Sequence, residues 1–197
     1  MVRRQGLRTV SSHAARSAPH EVNIIGGQWK RSKLPVADRA GLRPTPSRVR
    51  ETLFNWLGQD LSGWRCVDAF AGSGALGFEA ASRGASRVLM VERDAQLAAN
   101  LRQVQARLGA TAVEVRCVDG LEVLRGLDPG STDLVFLDPP YGSGLLQSAL
   151  GASWRALASG GLVYAEDAQP LEDTGPWTLL RRGRAGAVSF HLLRRDT

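Results

Sequence analysis

From residue 65 onward, short apolar runs alternate with amphipathic helical stretches, and this rhythm limits the folds open to the chain more than any other feature. Residues 66–70, 87–91, 111–117, 133–137 and 161–165 read as strands. Residues 75–83, 95–108, 121–127 and 145–157, which lie between them, read as helices. Strands separated by helices are joined by crossovers and run parallel, so the pattern calls for a parallel sheet with helices on both faces. The end breaks the rhythm. Residues 177–182 and 187–193 flank a Gly183/Gly186 turn with no helix between them, and these two runs are expected to pair antiparallel. With 197 residues, 43% of them hydrophobic, the chain suits one well-buried α/β unit.

The N-terminal quarter is different in charge. Residues 1–50 carry 11 bases and two acids, a net of +9, whereas the remaining 147 residues carry 14 bases and 17 acids, a net of −3. Arginine supplies 23 of the 25 bases, so a compositional preference for arginine contributes, but it does not confine the excess to one end. A basic extension joined to a mildly acidic unit points to a polyanionic partner. Residues 1–20 read as a disordered basic tail, and residues 21–44 as a β-hairpin extension bearing Lys30, Arg31, Lys33 and Arg39. The main domain is expected over 45–197, opening with a helix in which Thr45 is the N-cap, Pro46 sits in the first turn, and Val49, Leu53, Phe54 and Leu57 form the apolar stripe.

Several classes are excluded. No run of 18 apolar residues is present to span a membrane. Cys66 and Cys117 lie in apolar runs with neither a CxxC spacing nor a nearby histidine, so no metal site is expected and both read as reduced core residues of a cytoplasmic protein. His191, in the last strand, reads as structural, and the five tryptophans read as packing residues.

Two segments carry chemistry. The first, from Asp68 to Gly77, contains G-x-G-x-x-G between a strand and a helix, which brings backbone N–H groups close to a ligand; Glu92 follows Gly72 by 20 residues, where it can accept from ribose hydroxyls. These features serve a dinucleotide and an adenosine-type cofactor alike. Asp68 separates the two, because its carboxylate repels a pyrophosphate and favours the sulfonium and amino group of S-adenosyl-L-methionine. Asp119 can bond an adenine amino group, and it also reads as a helix N-cap.

The second segment, Asp138-Pro139-Pro140-Tyr141, directly follows a strand. It also reads as a plain turn. At the carboxyl end of a central strand beside a nucleoside site, however, it supplies what a poorly nucleophilic exocyclic amine needs. Asp138 offers a carboxylate oxygen, Pro139 a rigidly placed carbonyl, and Tyr141 a ring for stacking a base.

With Asn23-Ile-Ile-Gly-Gly27, Arg43-Pro-Thr45, Arg48-Val-Arg-Glu51 and Leu53-Phe-Asn-Trp-Leu57 added to these two segments, the chain resembles the bacterial 16S ribosomal RNA guanine-N2-methyltransferases of the RsmD type, within the class I S-adenosylmethionine-dependent methyltransferases. The resemblance covers about residues 22–195. It implies a Rossmann-like seven-stranded sheet of order 3-2-1-4-5-7-6 with strand 7 antiparallel, an N-terminal β-hairpin that holds RNA, and a monomer acting on 16S rRNA in the small subunit or a late assembly intermediate. Carried over by position, Asp68, Phe70, Gly72, Gly74, Glu92 and Asp119 hold the cofactor, Arg43 and Thr45 lie near it or close the site, and Asp138, Pro139, Pro140 and Tyr141 hold the base. Where the family usually has Thr-Asp, this chain has Pro46-Ser47, which removes an acid and stiffens the helix start. Three other readings stay open from the residues: an adenine-N6 methyltransferase, a NAD-dependent oxidoreductase on the same glycine-rich fold, and an assembly factor that binds RNA without catalysis.

Overall fold

The computed structural model describes residues 21–37, 44–140, 142–172 and 174–196; the basic tail, Arg39, Arg43 and Tyr141 lie outside them. The described residues form a two-stranded antiparallel hairpin, β1 (Glu21–Asn23) and β2 (Lys33–Pro35), and then α1 (Ser47–Trp56). β3 (Arg65–Asp68), α2 (Ala75–Ser82), β4 (Arg87–Val91), α3 (Ala95–Leu108), β5 (Val113–Arg116) and α4 (Gly120–Gly126) follow. The chain ends with β6 (Thr132–Leu137), α5 (Leu145–Ala156), β7 (Leu157–Asp167), β8 (Trp177–Ala185) and β9 (Val188–Arg195). Seven strands make one sheet in the order β5-β4-β3-β6-β7-β9-β8, with β9 antiparallel to both neighbours, as the resemblance implies.

Each face of the sheet buries its own apolar cluster. On one face α1 and α2 cover Phe136, Tyr164 and Phe190, which follow one another across β6, β7 and β9 at ring separations of 6.4 Å. Phe54 of α1 packs on Phe136, and Trp56 packs on Phe190. The other face joins Val67, Val135, Leu137 and Val163 to Leu146, Ala149 and Leu150 of α5 and Leu124 of α4.

A buried charge cluster fastens the hairpin to the sheet. Glu79 of α2 accepts from the Ile25 and Gly26 backbone N–H groups, each at 2.8 Å, and pairs with Arg50 of α1 at 3.3 Å and Arg83 at 2.8 Å. All three side chains are buried. Arg50 also donates to the carbonyls of Asn23 and Thr45, at 2.9 and 3.2 Å. Burial lowers its pKa, which the nearby Glu79 charge opposes. The hairpin turn has to come down onto the end of α2, and only glycine permits it: a Cβ at Gly27, whose φ is 73°, would sit 1.8 Å from the Ser82 carbonyl oxygen.

Four expectations change. Pro46, not Thr45, occupies the N-cap of α1 and brings no side-chain cap bond; Thr45 is turned toward Asp138 instead. β5 stops at Arg116, which leaves Cys117 half-buried beyond the strand and not in the core. β7 starts four residues earlier than residue 161, because Leu157 pairs with Thr132 across an irregularity in the β6 ladder. The closing turn is tighter than the expected Gly183/Gly186 turn: β8 runs on through Gly183, which pairs with Phe190, to Ala185, and the chain reverses at Gly186 and Ala187.

Replacing Glu79 with Gln leaves two buried guanidinium groups with one fewer countercharge, and the expected loss of stability is about 3–5 kcal/mol, read from denaturant unfolding at pH 7.

Candidate active site

The carboxyl ends of the parallel strands gather acids. Asp68 ends β3, Glu92 directly follows β4, Asp138 directly follows β6, and Glu166 lies near the end of β7. Asp68 is 2% exposed and its Oδ2 accepts from the Gly77 N–H at 3.0 Å, so it braces the first turn of α2. Burial raises its pKa to about 7, a shift that the Gly77 bond opposes and the Glu92 charge reinforces. Glu92 spans two loops, accepting from Gly72 N–H at 2.9 Å and Asp94 N–H at 2.8 Å. It is only half-buried, and each of its oxygens can accept a further bond.

Gly72 and Gly74 lie in the turn between β3 and α2, closed by a 2.6 Å bond from Gly74 N–H to the Ala71 carbonyl. Phe70 stands half-buried at the edge of this turn. Asp119 caps α4, its Oδ1 accepting from Leu121 and Glu122 N–H groups at 2.9 and 3.1 Å, as one of its two readings expects. Gly120 lets that cap come close to β3: a Cβ there would meet the Ala69 carbonyl oxygen at 2.2 Å.

Beyond β6, Asp138 is half-buried, Pro139 half-buried and Pro140 exposed. The Thr45 hydroxyl donates to Asp138 Oδ2 at 3.5 Å. Burial, followed by the charges of Glu166 and Asp68, raises the Asp138 pKa well above the usual carboxylate range, while the Thr45 bond works against the shift. Glu166 is 6% exposed, and burial raises its pKa too; its Oε1 accepts from the buried Tyr164 hydroxyl at 2.8 Å. Carboxyls held partly neutral by burial and mutual repulsion suit a positively charged ligand group, and they oppose a pyrophosphate. This donor set fits a sulfonium-bearing nucleoside.

The comparisons agree with this geometry. The family model described as Conserved hypothetical protein 95 matches residues 22–194. The chain belongs to this family. Its relatives include the ribosomal RNA small subunit methyltransferase D of Escherichia coli K12, 40% identical over 190 residues that cover 91% of this chain and 93% of that one. The protein of the same name from Haemophilus influenzae is 39% identical over 185 residues, covering 89% and 95%. The solved structure of Escherichia coli yhhF superposes with a TM-score of 0.80 at 38% identity, over 90% of this chain and 99% of that one. The chain is thus a methyltransferase on the Rossmann-like fold.

The structure brings Asp68, Gly72, Gly74, Glu92, Asp138 and Thr45 of this family member to one rim. The two cations of the hairpin turn lie elsewhere. Lys30 and Arg31 are exposed in the turn that packs on Ser82, the end of α2 opposite the glycine turn. Lys33 is paired with Glu21 at 2.7 Å. The sequence reading passed over Glu166 and Tyr164; the only signal for them was an acid placed directly after an apolar strand.

Asp68 makes stability depend on pH. Its folded pKa of about 7 lies above its ordinary value of 3.8, so the native state holds a proton that the unfolded chain loses first, and stability falls as pH climbs from about 4 to about 7. Asp68→Asn keeps an acceptor for Gly77 N–H and removes this penalty. Without cofactor, the variant is expected to exceed the parent by up to about 4 kcal/mol at pH 8 and to match it near pH 4, as measured by urea unfolding at both pH values.

Proposed function

We propose that the protein transfers a methyl group from S-adenosyl-L-methionine to the exocyclic N2 of a guanine in 16S rRNA of the small ribosomal subunit, as a monomer in the cytoplasm. The observation that carries this reading is the position of Asp138-Pro139 at the end of β6, beside a buried acid cluster suited to a cation. No helix among the described residues is long and apolar enough to cross a membrane.

In this reading Asp68, Phe70, Gly72, Gly74, Glu92 and Asp119 hold the cofactor, with Arg43 near its carboxylate. When bound, S-adenosylmethionine supplies the electrophilic methyl carbon of its sulfonium. Asp138 and the Pro139 carbonyl accept the two N–H bonds of the guanine amine, which turns the nitrogen lone pair toward that carbon. Thr45 fixes the Asp138 carboxyl in place. As the new N–C bond forms, the methyl–sulfur bond breaks and S-adenosylhomocysteine is the leaving group; the nitrogen then carries an extra proton, and its N–H bond breaks as an O–H bond forms on Asp138. Tyr141 stacks on the base, which must be unpaired or flipped out to enter. Residues 45–197 serve as the catalytic domain, residues 21–44 as an extension in which Lys30, Arg31, Lys33 and Arg39 contact phosphates, and residues 1–20 as a basic tail.

Incubation with tritiated S-adenosylmethionine and undermethylated small subunits, followed by nucleoside analysis, is expected to place the label in N2-methylguanosine. Label in N6-methyladenosine or in protein, with none in N2-methylguanosine, overturns the reading. Asp138→Ala is expected to lower kcat roughly 10²–10³-fold and to leave cofactor binding in place.

The Glu166 charge works against ionisation of Asp138. Glu166→Gln keeps an acceptor for the Tyr164 hydroxyl and removes that charge, so the Asp138 pKa falls and the acidic limb of the kcat/KM profile moves to lower pH. A uniform loss of rate with an unmoved limb would contradict this role for Glu166.

A further inference from the structure

An anionic pocket creates a problem for a nucleic-acid substrate. The rim proposed to receive the base carries Asp68, Glu92, Asp138 and Glu166, which offer a phosphate no countercharge, so an RNA must be anchored on cations lying outside that cluster. The hairpin tip stands at the far end of α2, an eight-residue helix about 12 Å long, from the glycine turn. A second basic surface lies on the carboxyl rim itself.

Because β9 is antiparallel to both β7 and β8, β8 runs in the same direction as β7 and ends at the carboxyl rim. Leu137 pairs with Ala165, Ala165 with His191, and His191 with Arg182. Arg182 therefore shares a rung with the residue just before Asp138, three strand spacings or about 14 Å away. Arg184 shares its face of the edge strand, Arg181 lies on the other face of the same edge, and all three side chains are exposed. None forms an ion pair among the described residues. Arg181 donates to the Leu180 carbonyl at 2.8 Å and Arg184 to the Gly186 carbonyl at 3.2 Å, which leaves most of their guanidinium donors open to solvent.

We infer that Arg181, Arg182 and Arg184 on the β8 edge form a phosphate-binding surface that anchors the substrate RNA beside the catalytic loop. The inference takes the RNA of the proposed function as its partner. Arginine's planar fork suits bidentate phosphate contacts, and three of them straddling an edge strand, two on one face and one on the other, grip a backbone without reading its bases. Charged residues on an edge also discourage strand-to-strand association, a role that either sign of charge fulfils.

The test compares the full chain with three triple variants in which Arg181, Arg182 and Arg184 are all changed to Ala, all to Lys or all to Glu. Equilibrium binding to protein-free small-subunit rRNA and to assembled small subunits is measured across a salt series, with S-adenosylmethionine binding as the control for the fold. The Ala variant is expected to bind RNA at least roughly tenfold more weakly at 0.15 M salt, with a log–log salt slope flatter by about 2 units, and the Glu variant is expected to bind more weakly still. Lys is expected to restore most of both quantities. Equal affinity and slope in the parent and Ala variant would overturn the inference, as would a Glu variant that matches the Ala variant and the parent, the pattern of edge protection alone. Weakened binding to assembled subunits with unchanged binding to free RNA would assign the edge to a ribosomal protein and overturn it too. Binding is read without transfer, so a failure of the methylation reading shows separately in the nucleoside analysis.

Discussion

One carboxylate joins the parts of this molecule. Glu79, in the second half of α2, is reached by two backbone N–H groups of the hairpin turn and by guanidinium groups from α1 and from the end of its own helix. Water cannot replace any of these partners in a buried site, so hairpin, α1 and α2 take up their positions together. The linkage runs on to the chemistry. Arg50 holds the Thr45 carbonyl, and the Thr45 hydroxyl reaches the carboxyl of Asp138. A contact at the base of the hairpin thereby steadies the loop that would hold the base.

The rim shows the opposite economy. Asp68, Asp138 and Glu166 all resist ionisation because the protein shields each carboxyl from water and, for Asp68 and Asp138, because their neighbours are acids. An arrangement tuned for the isolated protein would replace them with amides or apolar groups. Their retention makes sense where a positive ligand group enters, since the same repulsion that weakens the empty site strengthens attraction to a cation.

The strand and helix alternation was legible because parallel strands buried on both faces read as apolar runs, and the closing antiparallel pair was legible because too few residues separate its two runs for a helix, although Gly183 proved to lie within β8 and not in the turn. The order of the strands came from the resemblance, since periodicity carries no information about which strands become neighbours. Asp68, Glu92 and Asp138 were found because they stand where strands end. The clamp was not found, since partners 29 residues apart, like Arg50 and Glu79, meet only in the folded chain. Its traces were nonetheless present: Glu79 is a lone acid in the run Ala75–Ser82, and Arg50 falls on the same helical stripe as Leu53, Phe54 and Leu57. Cys117 was misplaced for the converse reason, because a strand's end is set by its ladder partner and β4 offers none beyond Val91.

The reversed direction of β9 decides where the chain's last turn points. Had β8 and β9 been joined by a crossover helix, the connection would have closed on the opposite side of the sheet, as the other helical connections do. As built, the turn from Ala185 to Val188 projects past the last ladder pair at the carboxyl rim, on the side of the sheet where Asp138 lies. Its length and charge can change without breaking a rung of the sheet, so the outermost hairpin is a place where evolution or a protein engineer could alter how the substrate is gripped while the cofactor site stays untouched.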